Sequence, residues 1–244
     1  MLNITAETTI GDIVRTAPAT SRIFDSLKID FCCGGKKSLA DSCKERGLDV
    51  NTVVAMLAAI GQMDQATGTN VDGMTLTELC EHIQEAHHAY LREELSRLDF
   101  MTRKVLAVHG EHEPRLIELR KVFEGFNAEM TTHTDEEDES VFPAICELEV
   151  KEAGERTSKL NLAETLAKME HEHDSAGEAL EKFHDLTDNF TAPEWACNTF
   201  RALYDALKQL DGNMHQHIHK ENNVLFPKAR KKLAARPQPV PANA

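Results

Sequence analysis

Four long stretches of this chain carry apolar residues at alternating spacings of three and four, and each stripe is interrupted by a histidine. In the last of them it reads Leu203, Leu207, Leu210, Met214, His217, Glu221, Val224. A helix turns about 100° per residue, so this spacing marks a single face, the one that packs on other helices. His217 and Glu221 lie on that face. His215 and His219 are each two residues from His217 and point about 200° away.

The same phasing works elsewhere. The second stretch gives Leu116, Leu119, Phe123, Phe126, Met130, His133, Glu137, and the third gives Leu162, Leu166, Met169, His173, Ala176, Leu180, Phe183, leaving His171 off the stripe. The first gives His88, Leu91, Leu95, Leu98, Thr102, Val105, His109, which favours His88. Upstream, however, Leu76, Cys80 and Ile83 extrapolate to His87. Short connections between four long helices predict an all-α chain with an up-down-up-down four-helix bundle over residues 75–233. Aromatic residues at 5% beside 41% hydrophobic agree with helix rather than sheet.

Residues 1–62 read as a small domain of short helices, with Thr8 and Thr9 as caps, Pro18 opening a second helix and Gly61 ending the last. The polar stretch 63–74 reads as a linker and the proline-rich end 234–244 as a disordered tail. The last bundle helix is expected to start near Pro193, with Thr191 or Ala192 as its cap.

Residues equally far from a turn lie level in antiparallel helices. His88 and His133 are so placed about the turn near residue 111, and His133 and His173 about the loop near 154. His217 sits deeper and needs a skewed last connection. His109 is roughly 31 Å from His88 along a continuous helix and belongs to the turn instead.

One His-x-x-x-Glu pair is ordinarily a solvated contact, and one core histidine is ordinarily a hydrogen-bonded core residue. Six inward groups are different, because each unpaired polar group costs roughly 1–3 kcal/mol and a charge more. A metal removes that cost. Six ligands are too many for one tetrahedral zinc. Four imidazoles and two carboxylates suit two ions bridged by Glu137 and Glu221, with iron favoured over manganese or zinc. Glu129 and Glu172 are candidate acceptors for the far nitrogens of the histidines. A ferritin-like di-iron oxidase, using Glu85 with His88 and Glu170 with His173, is the structural competitor, but it leaves His133 and His217 buried without a role.

A net charge of -14 and a pI near 5.3 argue against nucleic acid and anionic membrane as partners. No signal peptide and no apolar stretch of membrane-spanning length is found. Six cysteines without a scaffold spacing read as reduced thiols, which points to the cytoplasm.

Two His-x-x-x-Glu pairs followed by Phe-Pro, in "HTDEEDESVFP" and "HIHKENNVLFP", resemble the hemerythrin-like family. The "DFCCGG" at 30–35 and "MEHEHDSAG" around His173 narrow the resemblance to the di-iron iron–sulfur cluster repair proteins, and it spans nearly the whole chain. It implies two iron ions in an oxo- and carboxylate-bridged centre on His88, His133, Glu137, His173, His217 and Glu221. It also implies damaged iron–sulfur proteins as partners, with nitric oxide or O₂ as small ligands, and leaves a homodimer open. Alternatives are an O₂- or NO-binding protein, or one that reduces NO. The extra histidines His87, His171, His215 and His219 depart from the pattern and read as surface residues or loose metal ligands. Cys32 and Cys33 read either as a small hydrophobic pair or as functional thiols. Lys36, Lys37 and helix amides would lower the pKa of such thiols.

Overall fold

A computed structural model describes residues 4–61, 71–150 and 160–235. Among these the fold is all-α: a run of short helices followed by long ones. The only strand-like contact among them is one isolated bridge, Thr9 to Ser38. The chain divides into two compact units. The first takes the chain up to Cys80 and the stretches from Ile145 and from His215; the second takes Glu81–Ala144 and Leu160–Met214.

In the first unit, α1 (Ile10–Thr16), α2 (Ser21–Ser26), α3 (Leu39–Glu45) and α4 (Val50–Gly61) surround an apolar core that includes Ile13, Phe24, Phe31, Leu39 and Leu57. These helices are short, so their ends must be satisfied locally. Thr9 Oγ1 accepts from Asp12 N at 3.3 Å, Ser38 Oγ from Asp41 N at 3.1 Å, and Asp49 Oδ1 from Thr52 N at 2.8 Å. Pro18 opens a 3₁₀ turn immediately before α2. The expected linker lies outside the described residues up to 70, and Val71–Gly73 form a 3₁₀ turn. The expected tail lies outside them from 236 onward.

In the second unit, α6 (Ala89–His109), α7 (Arg115–Glu136), α9 (Leu162–Leu186) and the first turns of α10 (Asn198–Lys220) carry the stripes read from the sequence. Leu91, Leu98, Phe123, Phe126, Leu166, Met169, Phe183, Leu207 and Leu210 are all buried. Each such side chain contributes about 1.5–3 kcal/mol. Phe183 meets Phe126 edge-on at 5.6 Å between ring centres. The last helix begins later than expected. Asp188, Asn189 and Phe190 adopt positive φ, Pro193–Ala196 form a turn, and Cys197 accepts the first hydrogen bond of α10.

Three of the long helices contain a wider π-helical turn: Gln84–His88 between α5 (Leu76–Ile83) and α6, Glu137–Val141 between α7 and α8 (Phe142–Val150), and Glu221–Leu225 between α10 and α11 (Phe226–Ala234). A π turn inserts one residue into the ladder. This resolves the phase conflict in the first helix. The upstream stripe Leu76, Cys80, Ile83 would continue to His87 in a regular helix, and the extra residue moves the inward position to His88. In the other two, a proline (Pro143, Pro227) follows at the second position of the next helix. Proline has no N–H and crowds the carbonyl four residues back, at Glu139 and Asn223, which favours the wider turn there.

Candidate metal centre

Each π turn begins or ends on an inward polar residue: His88, Glu137 and Glu221. In the second unit, His88 and Glu137 are fully buried, and His88 Nε2 lies 3.3 Å from Glu137 Oε2. His133 Nε2 reaches the same oxygen at 3.3 Å, and His173 Nε2 comes within 3.0 Å of His133 Nε2. The ligand atoms of His133, Glu137 and His173 lie within 4.8 Å of one another. Three imidazole nitrogens thus gather about one buried carboxylate.

The far nitrogens show why the near ones point inward. His88 Nδ1 is 2.8 Å from Asp138 Oδ1, and Asp138 is in turn held by Gln84 at 2.8 Å and by Arg92. His133 Nδ1 is 2.7 Å from Glu172 Oε2. An ionised carboxylate only accepts, so Nδ1 carries the proton and Nε2 keeps a lone pair for a ligand. Both carboxylates sit below their ordinary range. At Asp138, burial works against this and is outweighed by Arg92, Gln84 and His88; at Glu172 the His133 hydrogen bond leads. The donor set fits a borderline divalent metal such as iron.

In the first unit, His217 Nε2 and Glu221 Oε1 lie 2.9 Å apart, both fully buried. His219, on the other side of the helix, faces the small domain, where its ring packs edge-on against Phe31 at 5.7 Å between centres and its Nδ1 is 3.4 Å from the Phe31 carbonyl. Burial depresses its pKa to about 4. His219 is therefore a buried packing residue, not a surface one. His87 is also buried, with Nδ1 3.1 Å from Asn213 Oδ1. His215 is half-buried and His171 exposed.

Cys32 and Cys33 occupy a tight loop with Asp30. The expectation of a lowered thiol pKa is corrected at Cys32. Its S–H is hydrogen-bonded with Cys33, buried, and beside the Asp30 charge, which together push it well above the ordinary thiol range. Lys37 is turned toward Glu45, at 2.8 Å.

Of the expected outer acceptors, Glu172 holds His133, whereas Glu129 lines a cleft of ≈ 480 Å³ over His133 together with Glu136, Lys168 and Glu172. Asp138 was not legible as a partner of His88, because it is 50 residues away. The conflict over His87 and His88 was the one visible sign of a π turn.

Residues 81–238 match the hemerythrin HHE cation binding domain, and residues 6–61 match a domain of unknown function (DUF542). The chain is 33% identical over 225 residues to the iron-sulfur cluster repair protein ScdA of Staphylococcus haemolyticus, covering 92% of this chain and 99% of that one. It is 35% identical over 224 residues to the iron-sulfur cluster repair protein YtfE of Yersinia pseudotuberculosis, covering 90% and 95%.

Proposed function

We propose a function from one premise: the chain belongs to the hemerythrin HHE family, in the group whose relatives are named iron–sulfur cluster repair proteins. It repairs iron–sulfur clusters damaged by nitrosative or oxidative stress. Two iron ions are held by His88, His133, Glu137, His173, His217 and Glu221, with Glu137 and Glu221 as bridging carboxylates. The observation that carries this reading is the convergence of His88 Nε2 and His133 Nε2 on Glu137 Oε2, with both Nδ1 atoms committed to carboxylates. These six residues lie within the stretch 81–238 that matches the family.

Such a centre supplies iron for rebuilding clusters or a place where nitric oxide or O₂ binds. The protein's own part is positional. Asp138 and Glu172 fix the imidazole tautomers, the apolar stripes exclude bulk water, and the cleft over His133 gives small molecules a way in. Nitrogen and oxygen ligands hold ferrous iron less tightly than thiolates would, which suits an iron donor. Damaged iron–sulfur proteins are the partners, the reducing cytoplasm is the setting that suits six thiols, and pairing of two copies is compatible with this role. No helix among the described residues is long and apolar enough to cross a membrane.

The test is reactivation of an NO-damaged [4Fe–4S] dehydratase by the ferrous-loaded protein, against an equal amount of free ferrous iron. Recovery well above that control is expected. Recovery no better than free iron would reject repair in favour of gas binding or NO reduction, which gas analysis of single turnovers separates.

A further inference from the structure

The loop after Asp30 is closed by hydrogen bonds to that one side chain. Asp30 Oδ1 accepts from Cys32 N at 2.9 Å, Cys33 N at 3.0 Å and Cys32 Sγ at 3.1 Å, while Oδ2 accepts from Gly34 N at 2.7 Å. Asn223, two residues past Glu221 in the same π turn, reaches into the loop from the other side. Its Nδ2 donates to the Cys32 carbonyl at 3.0 Å and lies 3.4 Å from that of Phe31. The amide fits because Gly11 and Gly35 have no side chains. A Cβ at Gly11 would come within 2.6 Å of Asn223 Oδ1, and one at Gly35 closer still.

The result is that two sulfurs and a carboxylate are presented together. Their ligand atoms lie within 4.8 Å of one another, and the two Sγ atoms are 3.8 Å apart. Two thiolates at roughly 2.3 Å from one tetrahedral metal are separated by about 3.8 Å, the same spacing. Cys32 is buried and Cys33 half-buried, while Asp30 is exposed, so the third edge of the set opens to solvent and leaves a position for an outside ligand.

We propose that Asp30, Cys32 and Cys33 form a second, single-ion site for a thiophilic divalent cation such as ferrous iron, zinc or cobalt. As a sulfur–metal bond forms, each thiol gives its proton to solvent, and no electron changes hands. The S–H of Cys32 that now rests on Asp30 is one of the two protons released, which removes one of the three donors on Oδ1. Thiols must lose their protons to ligate, so binding at this site releases protons. Asn223 holds the loop in the ligating shape. That the site receives iron rests on the repair reading; that it binds a cation does not.

Cobalt(II) added anaerobically to the full-length, iron-loaded protein tests this. The His/Glu centre contains no sulfur, so a sulfur-to-cobalt charge-transfer band can come only from thiols. The expected result is one equivalent of cobalt giving that band, its loss in Cys33→Ser and Cys32→Ser, and affinity weakened at least about tenfold in Asp30→Asn. Cys33 is half-buried, so its serine variant keeps the fold as judged by far-UV dichroism. A spectrum without the band, or a band that survives Cys33→Ser, would overturn the site. A band in a protein that repairs no better than free iron would sink the repair reading and leave the site standing.

Discussion

At the scale of single residues, the histidines depend on the carboxylates behind them. Asp138 fixes the His88 tautomer from one residue past Glu137, and its own position is held by Arg92 and Gln84. Asp138→Ala is expected to weaken metal affinity by roughly 10–100-fold, measured by chelator competition, with little change in helicity. Unchanged affinity would mean that something other than Asp138 sets the tautomer. The stripe of the last helix makes a second demand. His215→Ala should keep about two irons per chain while His217→Ala loses metal. Metal analysis showing the reverse would break the phasing.

At the scale of elements, the π turns do what a regular helix cannot. In Glu221–Leu225, the wider turn accompanies a Glu221 that faces inward beside His217 and an Asn223 that faces the Cys32 loop. The amide occupies space that a side chain at Gly11 or Gly35 would take. Gly35→Ala should therefore cost about 1–3 kcal/mol through overpacking. Combined with Asn223→Ala it should cost clearly less than the sum of the two single changes, since the clash and the amide are removed together. Urea midpoints of the four proteins measure this. Strict additivity would show that the glycine is there for another reason.

At the scale of the whole chain, residues far apart in sequence meet within the first unit, and one such contact depends on pH. Glu149 caps the start of α5, accepting from Leu76 N at 2.9 Å, Thr77 N at 3.1 Å and Thr77 Oγ1 at 2.8 Å. Burial raises its pKa, but those donors outweigh burial and leave it below the ordinary 4.5. A carboxylate depressed in the folded state stabilises above its unfolded pKa and loses that contribution as pH falls through the folded value. Glu149→Gln should cost about 0.5–2 kcal/mol at neutral pH, the range of a helix cap, and progressively less below about pH 4.5. Denaturant midpoints at both pH values check it, and an equal loss at both would exclude the carboxylate's charge as the cause.

What the sequence determined by itself follows from the 3.6-residue period. Helical identity, the bounds of α9, and the inward turn of His133, Glu137, His173, His217 and Glu221 are all consequences of local geometry, because a face is defined by neighbours along the chain. The two stripes of the first helix disagreed over His87 and His88, and the tertiary structure supplied the reason, a π turn that adds one residue of slack there. Tertiary structure alone decided that His219 packs against Phe31, 188 residues away, that Asp138 holds His88, and that the Cys32 thiol pKa is pushed up by Cys33, burial and Asp30. Tautomer, burial and thiol ionisation depend on which distant groups arrive beside them, and that is settled by packing rather than by sequence spacing.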